Sequence, residues 1–373
     1  MYGIGVDDTL VSYGDITLDT LRTAVDSCVN EGSRGKVRFK AVVSYDDPIE
    51  TLERLNHQLE DTDLIIESHQ DHYHVKLERV IRRSDIEGGQ RTVTGEFGLF
   101  QSGETDIWVA VTGNGPDFYE RGLIWLIKRS EPNIYNFFVN SMGLRNTLEQ
   151  LEDSISSDFQ IYAQKAVAYS HTEEGNISYE TRPFRESFDL ADEDDRYVDK
   201  IKFDVRGDDR LLLSGFMSRD GQIKLLRGSV NSFFDTVIPL YTEEGQNIAN
   251  VVKDKQRSDQ TGEVQPIELE FDDPVFQSVD DNQRLIQALE DLTNSSVTVY
   301  HDNPYAHVSV LDFIDGSSCD IFITEPNRIS IVPSYNGSPN SLMRISDKLS
   351  RELNEGVVSS AGQPEYEFSD FFA

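Results

Sequence analysis

LNHQLEDTDLIIESHQDHYHVKL, residues 55–77, and LIQALEDLTNSSVTVYHDNPYAHVSV, residues 285–310, run on one plan. Each opens on the end of a helix with leucines at i, i+3 or i+4 spacing, passes an acidic turn, and enters a run rich in β-branched residues. Each then carries His-x-x-x-Tyr, with His69, Tyr73 and Val75 in the first and His301, Tyr305 and Val308 in the second after a one-residue slip. A second strand follows in both. Helix, turn and paired strands in that order predict an α+β fold with antiparallel sheets, helices packed on one face, and a tandem repeat of a helix–strands–helix unit.

Working outward from residue 55, Asp47-Pro48 supplies an acidic cap and a first-turn proline for a helix striped by Leu52, Leu55 and Leu59. Upstream, Leu18, Leu21, Ala24 and Val25 mark a helix from Leu18 to Val29, and Val37, Phe39 and Val42 a short strand. Downstream, Leu64–Ser68, Tyr73–Arg82, Thr92–Gln101 and Asp106–Thr112 read as strands, and Asp117–Ile127 and Met142–Ile155 as helices, with Ser141 as cap for the second. Ser130-Glu131-Pro132-Asn133 matches Thr324-Glu325-Pro326-Asn327, and a helix from Ser341 to Leu353 closes the second copy.

Residues 1–155 are therefore expected to form an N-terminal α+β unit, 156–264 a β-rich middle region with a long helix, and 265–373 a unit similar to the first. In the middle region Gln160–Tyr169 and Ile177–Arg182 read as strands, and the acidic Asp189–Asp195 as an exposed loop. Leu211–Phe216 and Gln222–Leu226 form a hairpin around Asp220-Gly221. Val230–Lys255 reads as a helix interrupted at Pro239 and again at Gly245, and Arg257–Glu263 as a linker. GFMSRDGQIKLLRGSVNSFFD (215–235) repeats the order of GLFQSGETDIWVAVTGNGPDF (98–118), a hairpin and a glycine turn before an aromatic helix start, which suggests a diverged third unit.

The charge balance names an environment. Sixty-seven Asp and Glu stand against 34 Lys and Arg, a formal charge of −33 spread along the whole chain. In dilute buffer that charge repels itself and weakens the compact state. At 1 M salt the screening length falls to about 3 Å and the repulsion fades. Scattered acid with 10% aromatic residues resembles the proteins of salt-in halophiles. Without a run of about 20 apolar residues or a basic-then-apolar leader, the expected location is the cytoplasm, with no membrane partner. Cys28 and Cys319 are too few for a disulfide framework and lack zinc-site spacing, so both are expected to be small buried residues.

Two constellations are candidates for function. His69, His72 and His74, with Asp71 among them, place three imidazoles and a carboxylate within six residues, a set that a divalent metal would favour. No other cofactor is implied. Lys76, Arg79, Arg82 and Arg83 cluster on one strand with Trp108 and Trp125 nearby, a combination able to stack on and pair with nucleic acid or an acidic protein if all share one sheet face. His74-Val75-Lys76 also supplies the His-x-Lys of phospholipase-D-type nucleases, but the second half reads His307-Val308-Ser309 and breaks that pattern. There is neither a GxxxxGK[ST] phosphate loop nor a GxSxG nucleophile elbow. The expected function is a non-catalytic binding or adaptor protein with a protein partner, in an assembly that can include nucleic acid; a metal-dependent hydrolase or nuclease built on His69–His74 is the alternative.

Overall fold

The computed structural model describes residues 18–30, 37–82, 89–172, 175–208, 210–253, 255, 265–334 and 337–361. Arg83 and the expected linker Arg257–Glu263 lie outside the described residues. Residues 1–249 and 250–373 form two compact units. Among the described residues no helix is long and apolar enough to cross a membrane.

In the first unit, α1 (Leu18–Asn30) precedes β1 (Arg38–Val43) and α2 (Pro48–Gln58). Asp47 caps α2 by accepting from the Ile49 amide at 3.0 Å, with Pro48 in the first turn. A meander follows of β2 (Thr62–Ser68), β3 (Tyr73–Arg82), β4 (Gln90–Gln101) and β5 (Ile107–Thr112), and β5 pairs back onto β1. The period-2 pattern of these strands turns Leu64, Val75, Leu77, Phe97 and Leu99 toward the helices. The helical segment is α3 (Pro116–Phe118), a π-helical turn (Tyr119–Ile124) and α4 (Trp125–Ser130), and its Phe118, Leu123 and Leu126 complete this core. Then come β6 (Tyr135–Asn136), which pairs with β1, and α5 (Ser141–Ser154). The cap of α5 is Asn140, which accepts from the Gly143 amide at 2.8 Å, one residue before the expected Ser141. Ser141 instead accepts from the Val198 amide at 3.0 Å.

The sheet continues through β7 (Gln160–Ser170), β8 (Asn176–Pro183), α6 (Phe184–Glu193), β9 (Arg196–Arg206), β10 (Leu211–Ser218) and β11 (Gln222–Gly228). Its order is β2-β3-β4-β5-β1-β11-β10-β9-β7-β8, antiparallel throughout. The acidic Asp189–Asp195 is not a loop. Asp189, Asp192 and Glu193 ride on α6, whose other face buries Phe184, Ser187, Phe188 and Ala191, so apolar spacing outweighs the charge of the outer face. The β10–β11 turn is present where Asp220-Gly221 signals it. Gly221 has φ +83°, and a Cβ there would meet the Ala41 carbonyl oxygen at 2.7 Å. The turn is buried: the Arg219 guanidinium lies 4.5 Å from the Tyr197 ring centroid and donates to the Val139 carbonyl at 3.2 Å.

Beyond it, α7 (Val230–Ser232), a second π-helical turn (Phe233–Val237) and α8 (Ile238–Lys253) form one continuous helix. Pro239 does not interrupt it, because the wider π turn just before resets the hydrogen-bond ladder, and Gly245 is internal to α8. Both hairpin-to-helix junctions, after β5 and after β11, thus share three α residues followed by a π turn.

The second unit has β12 (Ile267–Phe271), α9 (Val279–Glu290), β13 (Ser295–His301), β14 (His307–Asp312), β15 (Ser318–Glu325), β16 (Arg328–Pro333), α10 (Pro339–Glu352) and β17 (Gly356–Ser360). Its sheet runs β13-β14-β15-β16-β12-β17. Ser278 opens α9 with a reciprocal capping box to Asp281, and Ser338 caps α10. Val308, Val310, Ile321, Ile329, Ile331 and Leu269 are buried along the strands, with Leu285, Leu289, Leu342, Ile345 and Leu349 buried on the two helices. The two Glu-Pro-Asn segments fall in different places. Residues 131–133 form the turn leaving α4, whereas Pro326-Asn327 is the β15–β16 hairpin turn, so the shared Glu-Pro-Asn reflects turn chemistry and not position.

Candidate functional site

The histidine cluster divides over two environments. His69 and His72 sit in the β2–β3 turn, where the His69 amide donates to the His72 carbonyl at 2.9 Å and the rings stand 4.8 Å apart. His72 is buried, with Nδ1 3.1 Å from Asp71 Oδ1. His74 is on β3 proper, buried between two carboxylates, with Nδ1 3.4 Å from Glu67 and Nε2 3.1 Å from Glu96. Burial works against a charged ring there, but the bonds to Glu96 and Glu67 outweigh it and raise the His74 pKa above the ordinary imidazole value. Both ring nitrogens of His74 face carboxylate oxygens, so each is already engaged within the sheet. Burial and the neighbouring His72 and His74 lower the pKa of His69. Among the described residues no group of three or more His, Cys, Asp or Glu could hold a metal ion. His69, Asp71 and His72 thus meet in the turn, while His74 on β3 is engaged by Glu67 and Glu96.

The basic residues do not share a face either. Lys76 follows His74 on one face of β3 and lies 3.4 Å from Glu67. Arg79 has the opposite parity: its guanidinium is 3.7 Å from the centroid of the Trp125 ring on α4, and it donates to the Arg121 carbonyl at 2.6 Å. Arg82 reaches Asp61 at 3.5 Å, and Trp108 stacks on Tyr73 at 6.0 Å. Lys76, Arg79 and Arg82 are thus occupied by the protein's own carboxylates, backbone and rings. Cys319 is buried, which raises its thiol pKa, and Cys28 is partly exposed.

A different surface is left open. β13 is an edge of the second sheet, paired with β14 alone among the described residues. Edge strands are ordinarily blunted by charge, proline or brevity. The first unit follows that rule, since β2 carries Asp63 and Glu67 and β8 carries Glu180, Arg182 and Pro183. β13 reads SSVTVYH over seven residues, with no Asp, Glu, Lys, Arg or Pro. β17 is also uncharged but has five residues and no aromatic ring. On and beside β13, Val299 is 41%, Tyr300 63% and Tyr305 62% exposed, and Leu311 and Phe313 are exposed as well. Tyr300 lies against the ring of His307 at 4.8 Å, which stacks on Phe322 at 4.2 Å. Among the described residues, the edge therefore presents backbone donors and acceptors that no strand pairs, beside an aromatic patch. Sequence reasoning registers His301 and Tyr305 only as repeat markers; the legible signal was an alternating strand without one charged residue. No protein-family model and no curated protein matches this sequence.

Proposed function

We propose that this chain is a non-catalytic binding protein that captures an extended segment of a protein partner by strand addition at β13. The observation that carries this reading is the uncharged, unpaired and partly apolar edge of β13 in a chain of net charge −33. Main-chain hydrogen bonds supply affinity in this mode and alternate side chains supply specificity. A photo-crosslinking residue in place of Tyr300, expressed in the native host, is expected to trap one extended partner segment, and the same residue in place of exposed Glu50 on α2 to trap none. The adduct should vanish in the Val299→Pro variant, which removes an N–H that faces the open edge. Equal labelling from both positions, or an adduct that survives Val299→Pro, removes the proposal.

We read the working environment as a salt-adapted cytoplasm, on the strength of the distributed carboxylates. Far-UV circular dichroism should report loss of structure on dialysis from molar KCl into about 0.1 M salt. Full retention of structure sinks this reading.

We also read the chain as carrying a tandem duplication of β1 to β6 in β12 to β17. In support, both segments have the order second-third-fourth-fifth-first strand, a helix after the first strand, a helical segment after the fifth, and a last strand pairing with the first. An experimental structure with different strand orders in the two segments contradicts it.

A further inference from the structure

We propose that the segment added to β13 is cationic, with Arg or Lys side chains on alternate positions lying against Tyr300 and Tyr305; this rests on strand addition at β13. Residues 285–327, from the second half of α9 through the β15–β16 turn, contain seven Asp or Glu and no Lys or Arg. Several of these acids are engaged within the second unit: Asp312 by Arg344, Asp315 by Ser338 and Glu325 by Arg328. Asp302, in the β13–β14 turn, has no Lys or Arg partner among the described residues and accepts from Gln283 at 3.3 Å.

Tyr300 and Tyr305 stand at the same end of this hairpin, since His301 pairs with His307 across it. Their exposed rings offer negative π faces to a cation. The corresponding hairpin of the first unit, β2–β3, differs in the relevant respect: Lys76 and Arg82 supply its cations internally, beside Glu67 and Asp61.

Molar salt sharpens the argument. Long-range attraction between a basic segment and an acidic surface is screened within about 3 Å at 1 M. Contacts that survive are short ones, such as a guanidinium on a tyrosine ring, a carboxylate in direct contact with it, and the backbone ladder. An exposed cation–π contact strengthens binding about two- to fivefold, so two of them with a carboxylate contact should favour the cationic segment about tenfold over a neutral one of equal strand propensity. A segment bearing Glu places like charge beside Asp302.

The test uses the full chain in 2 M KCl and three labelled nine-residue Thr/Val peptides, identical except that three alternate positions are Arg, Ser or Glu. Fluorescence anisotropy should rank them Arg, Ser, Glu, with the first two about tenfold apart. Tyr300→Ala with Tyr305→Ala should bring the Arg-to-Ser ratio near one while preserving binding of the Ser peptide. Val299→Pro, at a residue whose N–H faces the open edge, and the milder Thr298→Glu should abolish binding of all three, with amide-exchange protection of β15 reporting that the second unit remains folded. Equal binding of Arg and Ser peptides, lost with Val299→Pro, overturns the cationic partner and leaves strand addition standing. Binding of none, or binding that persists in both variants, overturns strand addition and the cationic partner with it.

Discussion

Arg344→Ala should destabilise the second unit by about 3–5 kcal/mol, the loss typical of breaking a buried ion pair from one side. Asp312 ends β14 with its side chain fully buried. One carboxylate oxygen accepts from the Ile314 amide at 3.0 Å, and the other accepts from Arg344 Nη1 on α10. Arg344 also donates through Nη2 to the Thr293 carbonyl. One guanidinium thereby ties α10 to β14 and to the residues entering β13. Removing it strands an anion where water cannot reach, whereas Asp312→Asn keeps an acceptor for the Ile314 amide and removes the stranded charge. We expect Asp312→Asn to be the milder change and the double variant Asp312→Asn, Arg344→Met to recover part of the loss. The pair Arg351–Asp347, at 2.7 Å on the same helix with both side chains reached by water (27% and 32% exposed), is the internal control, because an ion pair that solvent reaches is worth about 0–1 kcal/mol and less in molar salt. Amide exchange of β14 and β15 in 2 M KCl reads both changes. Equal effects of Arg344→Ala and Arg351→Ala would falsify the assignment of Asp312 as a buried structural charge.

Asp312 also marks the limit of what the sequence discloses. The meander β2 to β5 is legible because each strand is half-buried, so apolar and polar residues alternate with the pleat; Tyr73–Arg82 coincides with β3 at both ends. The helix behind Asp47-Pro48 is legible because cap and proline act locally. Neither Asp312 nor His74 can be told from the other acids and histidines by local pattern, since burial and partners are set by strands far away in the chain. Asp189–Asp195 misleads for the opposite reason: its acids are conspicuous, while the spacing of Phe184, Phe188 and Ala191 that places them on a helix is quiet. The β13 edge is the clearest case. VTVYH alternates like any half-buried strand, and only the sheet order reveals that no strand among the described residues pairs with its second side. The absence of charge becomes informative once its place at the edge is known.

Gly245→Ala should destabilise the first unit by about 3 kcal/mol, although alanine exceeds glycine in helix propensity by about 1 kcal/mol. Gly245 lies inside α8, and a Cβ on it would stand 1.9 Å from Phe137 Cε2 and 2.3 Å from Cζ. Phe137 has no room to retreat. Its ring is fully buried and packs on Tyr241 at 4.9 Å, and the Tyr241 hydroxyl is held by the Ser218 carbonyl at 2.5 Å. Its own Cβ side abuts Gly221, where a side-chain carbon would lie 3.2 Å away. Overpacking a filled core typically costs about 1–3 kcal/mol and occasionally more, and contact this close with a ring held on two sides belongs at the upper end. Propensity alone predicts the opposite sign, so the sign decides which effect wins. A double-mutant cycle isolates the cause: Phe137→Ala by itself loses about 3–5 kcal/mol from the cavity, but in that background Gly245→Ala should become neutral or stabilising. Both tryptophans, Trp108 and Trp125, belong to the first unit, so tryptophan fluorescence during urea unfolding in 2 M KCl follows this unit and not the other. Stabilisation by Gly245→Ala in the wild-type background would mean that the helix tolerates a side chain there and that the glycine serves no close approach.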